Sequence, residues 1–279
     1  MSIRTIKLRS GEAIPVLGQG TWGMAEEPGR REDEIAALRF GLELGLRVID
    51  TAENYAAGDT EELVGQAIAD RRDEVFLVTK VSPDNANRAD TIAACERSLH
   101  RLGTDHIDLY LLDGRGHTPL FETIAAFAEL AADGKIRHWG VSNFGMADMA
   151  ELARIPGGAE VAVNQVPYSL TRRGTELDLL LWCQDHGIPI MAYSPIGRGR
   201  VLVHPVVIQV ASALGVTPAQ VALAWVLNAN GVTAIPRAGR PAHLRQNRDA
   251  LNVLLPDRYL AKLELAFPPP TRALPLEKL

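Results

Sequence analysis

Residues 45–65, GLRVIDTAENYAAGDTEELVG, contain a short apolar run, a polar loop and the beginning of a helical pattern. The run LRVID ends at Asp50, Tyr55 follows five residues later, and a helix with an apolar face is expected to begin near Thr60. Continuous apolar runs are typical of parallel strands that are buried on both faces. This segment therefore predicts a strand, a loop and a helix, with chemically active side chains where the strand ends.

The same pattern recurs along the chain, because six further apolar runs break off at a polar residue. In α/β barrels, the carboxyl ends of the strands form the face on which active sites are built. The pattern therefore indicates an enzyme. The six runs end at Lys80, Asp113, Asn143, Gln165, Tyr193 with Ser194, and Arg237.

Segments with helical periodicity lie between the apolar runs, so strands and helices alternate throughout the chain. With a length of 279 residues, this alternation predicts an α/β fold, specifically a (β/α)8 TIM barrel that forms a single domain over residues 1–279. Helices are predicted near residues 32–44, 60–69, 89–102, 120–132, 146–153, 175–186 and 218–228.

Signals at the element boundaries agree with this architecture. Ser10-Gly11, between two alternating segments, predicts an N-terminal β-hairpin at the bottom of the barrel. A short, proline-rich C-terminal tail begins at Phe267 and is predicted to wrap the surface. Glycines that suit a left-handed helix end follow four of the helical segments, at Gly45, Gly103, Gly134 and Gly187.

A doubly wound open sheet is the competing architecture, because it also alternates strands and helices. Gly18, Gly20 and Gly23 form the GxGxxG pattern of dinucleotide-binding folds. That fingerprint requires a helix immediately after the glycines, whereas the segment MAEEPGRRE that follows Gly23 is polar and contains Pro28. We therefore expect a glycine-rich turn at the mouth of the first barrel strand.

Composition argues against several classes of protein. The net charge of −5 contains no basic block, so no nucleic-acid partner is predicted, and no apolar stretch approaches the roughly 20 residues of a membrane span. The first ten residues lack the apolar core of a signal peptide, so a cytoplasmic protein is expected. A monomer is also predicted. The two cysteines and seven histidines show no ligand spacing, so no metal site is predicted.

The segment around Asp50 and Tyr55 resembles the corresponding region of the aldo-keto reductase family. Further matches follow in the family's order, with one near each strand end, and they cover nearly the whole chain. They are VTK ending at Lys80, GVSNF at 140–144, NQVPY at 164–168, AYSPIGRG at 192–199 and IPRAG at 235–239.

The resemblance implies NADPH-dependent transfer of a hydride to the carbonyl carbon of an aldehyde or ketone, with Tyr55 as the proton donor. A free phenol titrates at about 10, so an adjacent ammonium group is expected to make Tyr55 a stronger acid. Lys80 is predicted to supply that charge, and Asp50 is predicted to pair with Lys80, since an unpaired buried ammonium is costly. An ordinary buried Asp–Lys pair beside a packing tyrosine is the alternative interpretation.

One position departs from the family pattern. Where most members have histidine followed by tryptophan, this chain has Asp113 and Gly114, and Asp113 is a fourth candidate catalytic residue. A protonated Asp113 can donate a hydrogen bond to the carbonyl oxygen, whereas an ionised one repels a developing oxyanion and favours a cationic substrate such as an iminium ion. Neutral drift is the alternative. Trp22, Tyr55, Asp113 and Gly114 are predicted to line an open, permissive substrate pocket.

The resemblance also implies that an extended dinucleotide lies across the barrel mouth. Ser142, Asn143 and Gln165 would hold the carboxamide, and Tyr193 would stack on the nicotinamide ring. Arg237 replaces a lysine that contacts the 2′-phosphate in many relatives, which favours NADP(H), with NAD(H) as the less favoured cofactor. The predicted cofactor-binding residues are Thr21, Trp22, Asp50, Ser142, Asn143, Gln165, Tyr193, Ser194, Ile196, Gly197, Arg198, Arg237, Ala238, His243, Gln246 and Asn247.

Three alternative functions stay open at this point. Asp113 is compatible with a slow redox sensor that holds NADP(H), or with a reductase shifted toward C=C or iminium substrates. A barrel lyase that uses Lys80 as a Schiff base would require an unpaired lysine, and Asp50 argues against it.

Overall fold

The computed structural model describes residues 3–272 and 276–277. It begins with an antiparallel hairpin made of β1 (Thr5–Lys7) and β2 (Ala13–Pro15), followed by a sheet of eight parallel strands. Gly11, in the turn between the two hairpin strands, has a φ of +89°, a conformation that glycine adopts without steric cost. The predicted N-terminal hairpin is confirmed.

The eight parallel strands hydrogen-bond to one another in chain order. They are β3 (Gln19–Gly20), β4 (Val48–Asp50), β5 (Phe76–Val81), β6 (Ile107–Leu112), β7 (Ile136–Ser142), β8 (Asn164–Pro167), β9 (Ile190–Tyr193) and β10 (Val232–Ala234). The segment before β3 also meets β10, because the Gly18 N–H donates to the Ala234 carbonyl at 2.9 Å and Leu17 forms a parallel bridge with Ala234. The sheet is therefore closed, and the predicted (β/α)8 barrel is confirmed.

Ten α-helices occur in the described part of the chain. They are α1 (Arg31–Glu43), α2 (Asp59–Ile68), α3 (Arg88–Leu102), α4 (Leu120–Ala132), α5 (Met146–Leu152), α6 (Leu179–Asp185), α7 (Pro205–Leu214), α8 (Pro218–Leu227), α9 (Pro241–Asp249) and α10 (Asp257–Ala266). All seven predicted helices are present, although α6 begins four residues later than expected, after a 3₁₀ turn at Gly174–Glu176. The four glycines expected at helix ends have φ between +63° and +84°.

Three helices escaped prediction, and their sequences explain why. The segment VVIQV in α7 is rich in β-branched residues, which favour strands. Helix α9 is mostly polar and buries only Leu244 and Asn247, and α10 buries only Leu263 completely, with Tyr259, Leu260 and Phe267 partly buried beside it. For α10 a helical apolar pattern was present in the sequence but short, whereas α7 and α9 offered a weaker signal.

The two-residue period of the strands decides which side chains face the barrel interior. Val48 and Val78 belong to an interior cluster that also contains Leu109 and Leu111, whereas Ile49 and Leu77 pack against the surrounding helices. The side chains two residues after Val48, Val78 and Leu111 face the barrel interior as well. They are those of Asp50, Lys80 and Asp113. Leu8 and Ile14 of the hairpin join this cluster and close the barrel bottom.

The GxGxxG glycines have a packing role in this barrel. A Cβ on Gly18 would lie 2.7 Å from the Val48 Cβ, and one on Gly20 would lie 2.6 Å from the Ile235 carbonyl oxygen. Gly23 has a φ of +77°, and the next α-helix begins only at Arg31. Gly18 and Gly20 therefore permit close approach of neighbouring strands, and Gly23 lies in the turn that was predicted at the mouth of the first barrel strand.

The described part of the C-terminal tail packs on the barrel. Leu276 lies against the main hydrophobic core, and the Glu277 carboxylate forms an ion pair with Arg172 at 2.8 Å. Residues 273–275 and 278–279, which belong to the predicted tail, lie outside the described residues.

No single helix in residues 3–272 is long and apolar enough to cross a bilayer, and α7 and α8 meet the length and composition criteria only together, as a pair bent by 92°.

Gly20→Ala is expected to lower the free energy of unfolding by about 1–3 kcal/mol, because the new methyl group would collide with the Ile235 carbonyl at the seam of the barrel. Urea unfolding measures the change. Gly29→Ala is the matched control, since a Cβ there meets no atom within 4 Å, and it should stay within about 0.5 kcal/mol of the parent. Equal stabilities of the two variants would contradict the proposed tight seam.

Candidate active site

A buried ion pair lies at the base of a cleft at the carboxyl ends of the strands. Lys80 Nζ donates to Asp50 Oδ2 at 2.9 Å and to the Thr51 carbonyl at 2.7 Å, and the side chains of Lys80 and Asp50 are 1% and 4% exposed. Lys80 Nζ also lies 3.4 Å from the hydroxyl oxygen of half-buried Tyr55. Three of the predicted catalytic residues therefore form one connected group.

The second oxygen of the Asp50 carboxylate is also engaged. Gln165 Nε2 donates to Asp50 Oδ1 at 2.7 Å, and the Thr21 hydroxyl donates to the Asp50 main-chain carbonyl at 2.9 Å. Strand β8 continues to Pro167, so Gln165 lies inside the strand and not at its end. Its amide therefore reaches across the barrel and holds Asp50 in a fixed orientation.

Burial is the strongest influence on the pKa of each of these three groups. Burial raises the pKa of the Tyr55 hydroxyl, the charge of Lys80 lowers it, and the charges of Asp50 and Asp113 raise it, so the net pKa lies above the ordinary value. The Lys80 charge acts in the expected direction, but burial outweighs it, so the expectation that Tyr55 is a stronger acid than a free phenol is wrong. Tyr55 stays protonated at neutral pH.

Lys80 itself remains charged. Burial opposes its charged form, but the charges of Asp50, Tyr55 and Asp113 outweigh that effect and raise the pKa of Lys80 above its ordinary value. For Asp50, burial raises the pKa, while the charge of Lys80 and the hydrogen bonds from Lys80 and Gln165 act in the opposite direction. A Schiff-base lysine needs a lowered pKa, so this arrangement does not suit a lyase.

Asp113 lies directly after β6, at the same end of the barrel. Its N–H donates to the Val81 carbonyl at 2.9 Å, and its half-buried side chain lines the cleft together with Asp50 and Tyr55. Gly114 follows with a φ of +104°, a conformation that strains any residue with a side chain. The backbone here therefore suits glycine and disfavours the tryptophan found in most of the family.

The cleft has a volume of about 730 Å³ and extends across the barrel mouth. Most of the predicted site residues meet there, at the ends of six strands or on the loops that follow them, with Gln165 inside β8. The predicted residues that line it are Trp22, Asp50, Tyr55, Asp113, Ser142, Asn143, Gln165, Tyr193, Ser194, Ile196, Arg198 and Arg237.

Backbone strain is concentrated around the same cleft. Six non-glycine residues in the described chain have positive φ, which L-residues adopt at a cost of order 1–3 kcal/mol each. Four of them line the cleft, and the other two are sequence neighbours of residues that do. The six are Ala25, Ala56, Ala57, Asn143, Ser194 and Arg198. Such strain persists where the surrounding structure holds a loop in a functional shape.

The side chains after β7 and β9 are tied together. The Tyr193 hydroxyl donates to Asn143 Oδ1 at 2.8 Å, and Asn143 Nδ2 donates to Ser142 Oγ at 3.2 Å. These bonds fix the orientation of the Tyr193 ring at the wall of the cleft. An aromatic face beside amide and hydroxyl groups can accept a planar heteroaromatic ring with a carboxamide substituent.

Two arginines line the cleft, one on the loop after β9 and one on the loop after β10. The Arg198 guanidinium lies 4.5 Å from the centroid of the Trp22 ring, and the Trp22 side chain is 52% exposed. Arg237 Nη2 donates to the Gly23 carbonyl at 3.0 Å and lies 3.3 Å from a carboxylate oxygen of Glu34. Exposed guanidinium groups in a cleft are suited to phosphate binding.

Eight predicted residues are not part of the cleft lining. Lys80 and Thr21 are buried beneath it, and both contact Asp50. The other six are Gly114, Gly197, Ala238, His243, Gln246 and Asn247. The last three lie on α9, the helix that follows the carboxyl end of β10, where Asn247 is buried and His243 is exposed.

Sequence reasoning missed Glu34, which is 2% exposed and whose carboxylate joins the loop after β3 to the loop after β10. Its carboxylate accepts a hydrogen bond from the Ala25 N–H at 2.9 Å and pairs with Arg237. A signal was present, because Glu34 belongs to the buried face of α1 together with Ala37, Leu38, Gly41 and Leu42. A carboxylate on an apolar helical face requires a buried partner. Other missed lining residues are Gly20, Gly23, Glu26, Asn54, Ala56, Pro195, Ile235 and Pro236.

Metal and thiol chemistry have no support in the described residues. They contain no group of three or more His, Cys, Asp or Glu side chains that could hold a metal ion. Burial raises the pKa of both cysteine thiols, Cys95 and Cys183, to about 12, so both are poor nucleophiles.

Comparison with known proteins agrees with this geometry. A model of the Aldo/keto reductase family matches residues 16–266. The chain is 49% identical over 275 residues to methylglyoxal reductase YeaE of Escherichia coli (strain K12), covering 97% of each chain. It is 34% identical over 265 residues to a glyoxal reductase of Bacillus subtilis (strain 168), covering 93% of this chain and 91% of that protein.

Solved structures show the same likeness. The structure superimposes on an aldo/keto reductase from Klebsiella pneumoniae, crystallised in complex with NADP and acetate, with a TM-score of 0.97 and 48% identity. The match covers 99% of this chain and 100% of that one. A structure of an aldo-keto reductase from the same organism in complex with NADPH gives a TM-score of 0.97 as well.

Lys80→Met is expected to lower the free energy of unfolding by about 3–5 kcal/mol, because it leaves the buried Asp50 carboxylate without its counter-charge. The double variant Lys80→Met/Asp50→Asn should recover part of that loss, since no charge is then left unpaired. Urea unfolding of both variants tests this, with Lys262→Met on the exposed face of α10 as the control. If Lys80→Met is as stable as Lys262→Met, the ion pair does not have the structural role assigned here.

Proposed function

The chain belongs to the aldo/keto reductase family, and on that premise we propose that it reduces small aldehydes and ketones with NADPH, Tyr55 being the proton donor. The observation that carries the proposal is the contact chain from Asp50 through Lys80 to the Tyr55 hydroxyl at the base of a cleft. The relatives named for methylglyoxal and glyoxal reduction support small dicarbonyl compounds as substrates.

Bound NADPH would supply the hydride to the carbonyl carbon. Tyr55 would give its proton to the carbonyl oxygen, so the product is an alcohol, and solvent would restore the proton to Tyr55. Lys80, which is charged and 3.4 Å from the Tyr55 hydroxyl, stabilises the phenolate that remains. Asp50 keeps Lys80 charged and directed at Tyr55, and Gln165 holds Asp50.

The residues present fit the cofactor. Ser142 and Asn143 offer hydroxyl and amide groups for a carboxamide, and the Tyr193 ring, held by Asn143, offers a stacking face. Arg198, on the loop after β9, and Arg237, on the loop after β10, supply positive charge for the phosphates. We assign the 2′-phosphate to Arg237 because it is exposed at the β10 end and its guanidinium can form two parallel hydrogen bonds.

Tyr55→Phe is expected to lower kcat for NADPH-dependent methylglyoxal reduction by at least about 100-fold, the scale of general-acid catalysis, and to leave the Kd for NADPH within about twofold. Stopped-flow and steady-state NADPH oxidation measure the first quantity, and fluorescence titration measures the second. Tyr259→Phe on α10 is the control and should keep full activity.

Near-normal turnover by Tyr55→Phe would remove Tyr55 from its assigned role. If the unaltered protein binds NADPH but oxidises it only in single, slow turnovers, a redox sensor would explain the site better than a reductase.

Arg237→Ala is expected to weaken NADPH binding about ten- to a hundredfold and NADH binding much less, because only NADPH carries the 2′-phosphate. The ratio of the two Kd values is the quantity to measure, since the variant also leaves Glu34 without its ion-pair partner. Arg198→Ala is the matched control, and it should weaken both cofactors alike. Equal loss of NADPH and NADH affinity in Arg237→Ala would show that the 2′-phosphate lies elsewhere.

A further inference from the structure

The Asp113 carboxylate is an acidic group in the cleft without a balancing partner. Among the described residues, none forms a hydrogen bond or ion pair with its carboxylate oxygens, in contrast to Asp50, which is bonded through both. Its position is well defined, because its N–H is bonded to Val81 at the end of β5 and Gly114 fixes the following turn. The carboxylate is therefore held at the catalytic end of the cleft and is available to a ligand.

The charges at this end of the cleft do not cancel. Asp50 and Asp113 are acidic, and Lys80 is the cation that contacts Asp50 and Tyr55. The two arginines that line the cleft are engaged elsewhere, Arg198 over the Trp22 ring and Arg237 with Glu34. With both carboxylates ionised, the region around the Tyr55 hydroxyl carries one unbalanced negative charge.

That charge is unfavourable for an ordinary carbonyl substrate. Negative charge develops on the carbonyl oxygen as hydride is transferred, and a carboxylate nearby raises the energy of that state. A substrate with its own positive group next to the carbonyl would meet Asp113 and also offset the charge on oxygen.

We propose that Asp113 makes this enzyme selective for carbonyl compounds that carry a positive charge close to the reacting carbon, such as aldehydes with an ammonium or trimethylammonium group. This inference rests on the proposed reductase function. It concerns only which carbonyl compounds the site prefers, and the reaction remains the transfer of hydride to carbon and of a proton to oxygen.

Two aldehydes of the same shape test the inference. Betaine aldehyde carries a trimethylammonium group, and 3,3-dimethylbutanal carries a tert-butyl group in the same place. With NADPH and one proton they would give choline and 3,3-dimethylbutan-1-ol, respectively, together with NADP⁺. Because the two aldehydes are hydrated to different extents in water, the quantity to compare is the change in their kcat/KM ratio between protein variants.

Asp113→Asn is expected to lower the ratio of betaine aldehyde to 3,3-dimethylbutanal by roughly tenfold, the effect of removing one partly screened charge. Glu26→Gln is the matched control, because it removes the same charge from another residue that lines the cleft. It should leave the ratio unchanged. An unchanged ratio in Asp113→Asn, or an equal fall in both variants, would overturn the inference.

Ligand binding provides a second test that does not depend on turnover or on the stability of a variant. The unaltered protein, saturated with NADPH so that no hydride can be transferred from the alcohol, should bind choline about tenfold more tightly than 3,3-dimethylbutan-1-ol in a calorimetric titration, since the two alcohols differ only in charge. Equal affinities would contradict the inference. Failure to oxidise NADPH with either aldehyde or with methylglyoxal would instead contradict the proposed function, whatever the binding result.

Discussion

The buried ion pair between Lys80 and Asp50 is the interaction on which the rest of the site depends. A lysine that is 1% exposed can keep its charge only if a counter-charge and hydrogen-bond acceptors accompany it, and here Asp50 and the Thr51 carbonyl do so. Asp50 is in turn held by Gln165 from the opposite side of the barrel. The ammonium group that faces Tyr55 is therefore fixed by contacts from three strands or their ends, and a change in any of them alters the environment of the phenol.

Barrel closure is what brings these contacts together. The seam formed by Gly18 and Gly20 lets the first strand approach β4 and β10 closely, so that the loop with Trp22 and Gly23 meets the loop with Arg237. The strained residues around the cleft show where this geometry is costly. Packing of the barrel interior and of the surrounding helices holds the loops in conformations that they would not adopt in isolation.

Burial and the acidic residues Asp50 and Asp113 determine the electrostatics at the Tyr55 end of the cleft. Burial outweighs Lys80 and raises the pKa of Tyr55, and Asp113 adds to that effect. A phenol with a raised pKa holds its proton at neutral pH and is a weak acid. A positive charge on the ligand would stabilise the phenolate and make proton donation easier. Asp113 thus places a second acidic group at this end of the cleft, and the positive φ of Gly114 defines the turn that follows it.

The sequence by itself determined the alternation of strands and helices, the hairpin, the helix ends and the row of polar residues at the strand ends, because these depend on local periodicity and on the conformational preferences of glycine. Contacts between distant segments were decided only by the tertiary structure. Examples are the Glu34–Arg237 pair, which joins residues 203 positions apart, and the Gln165–Asp50 bond, which joins residues 115 positions apart. The pKa of Tyr55 was also decided only by the tertiary structure, because burial is the largest influence on it. Burial depends on all the segments packed around a group, and the spacing of residues along the chain does not reveal it.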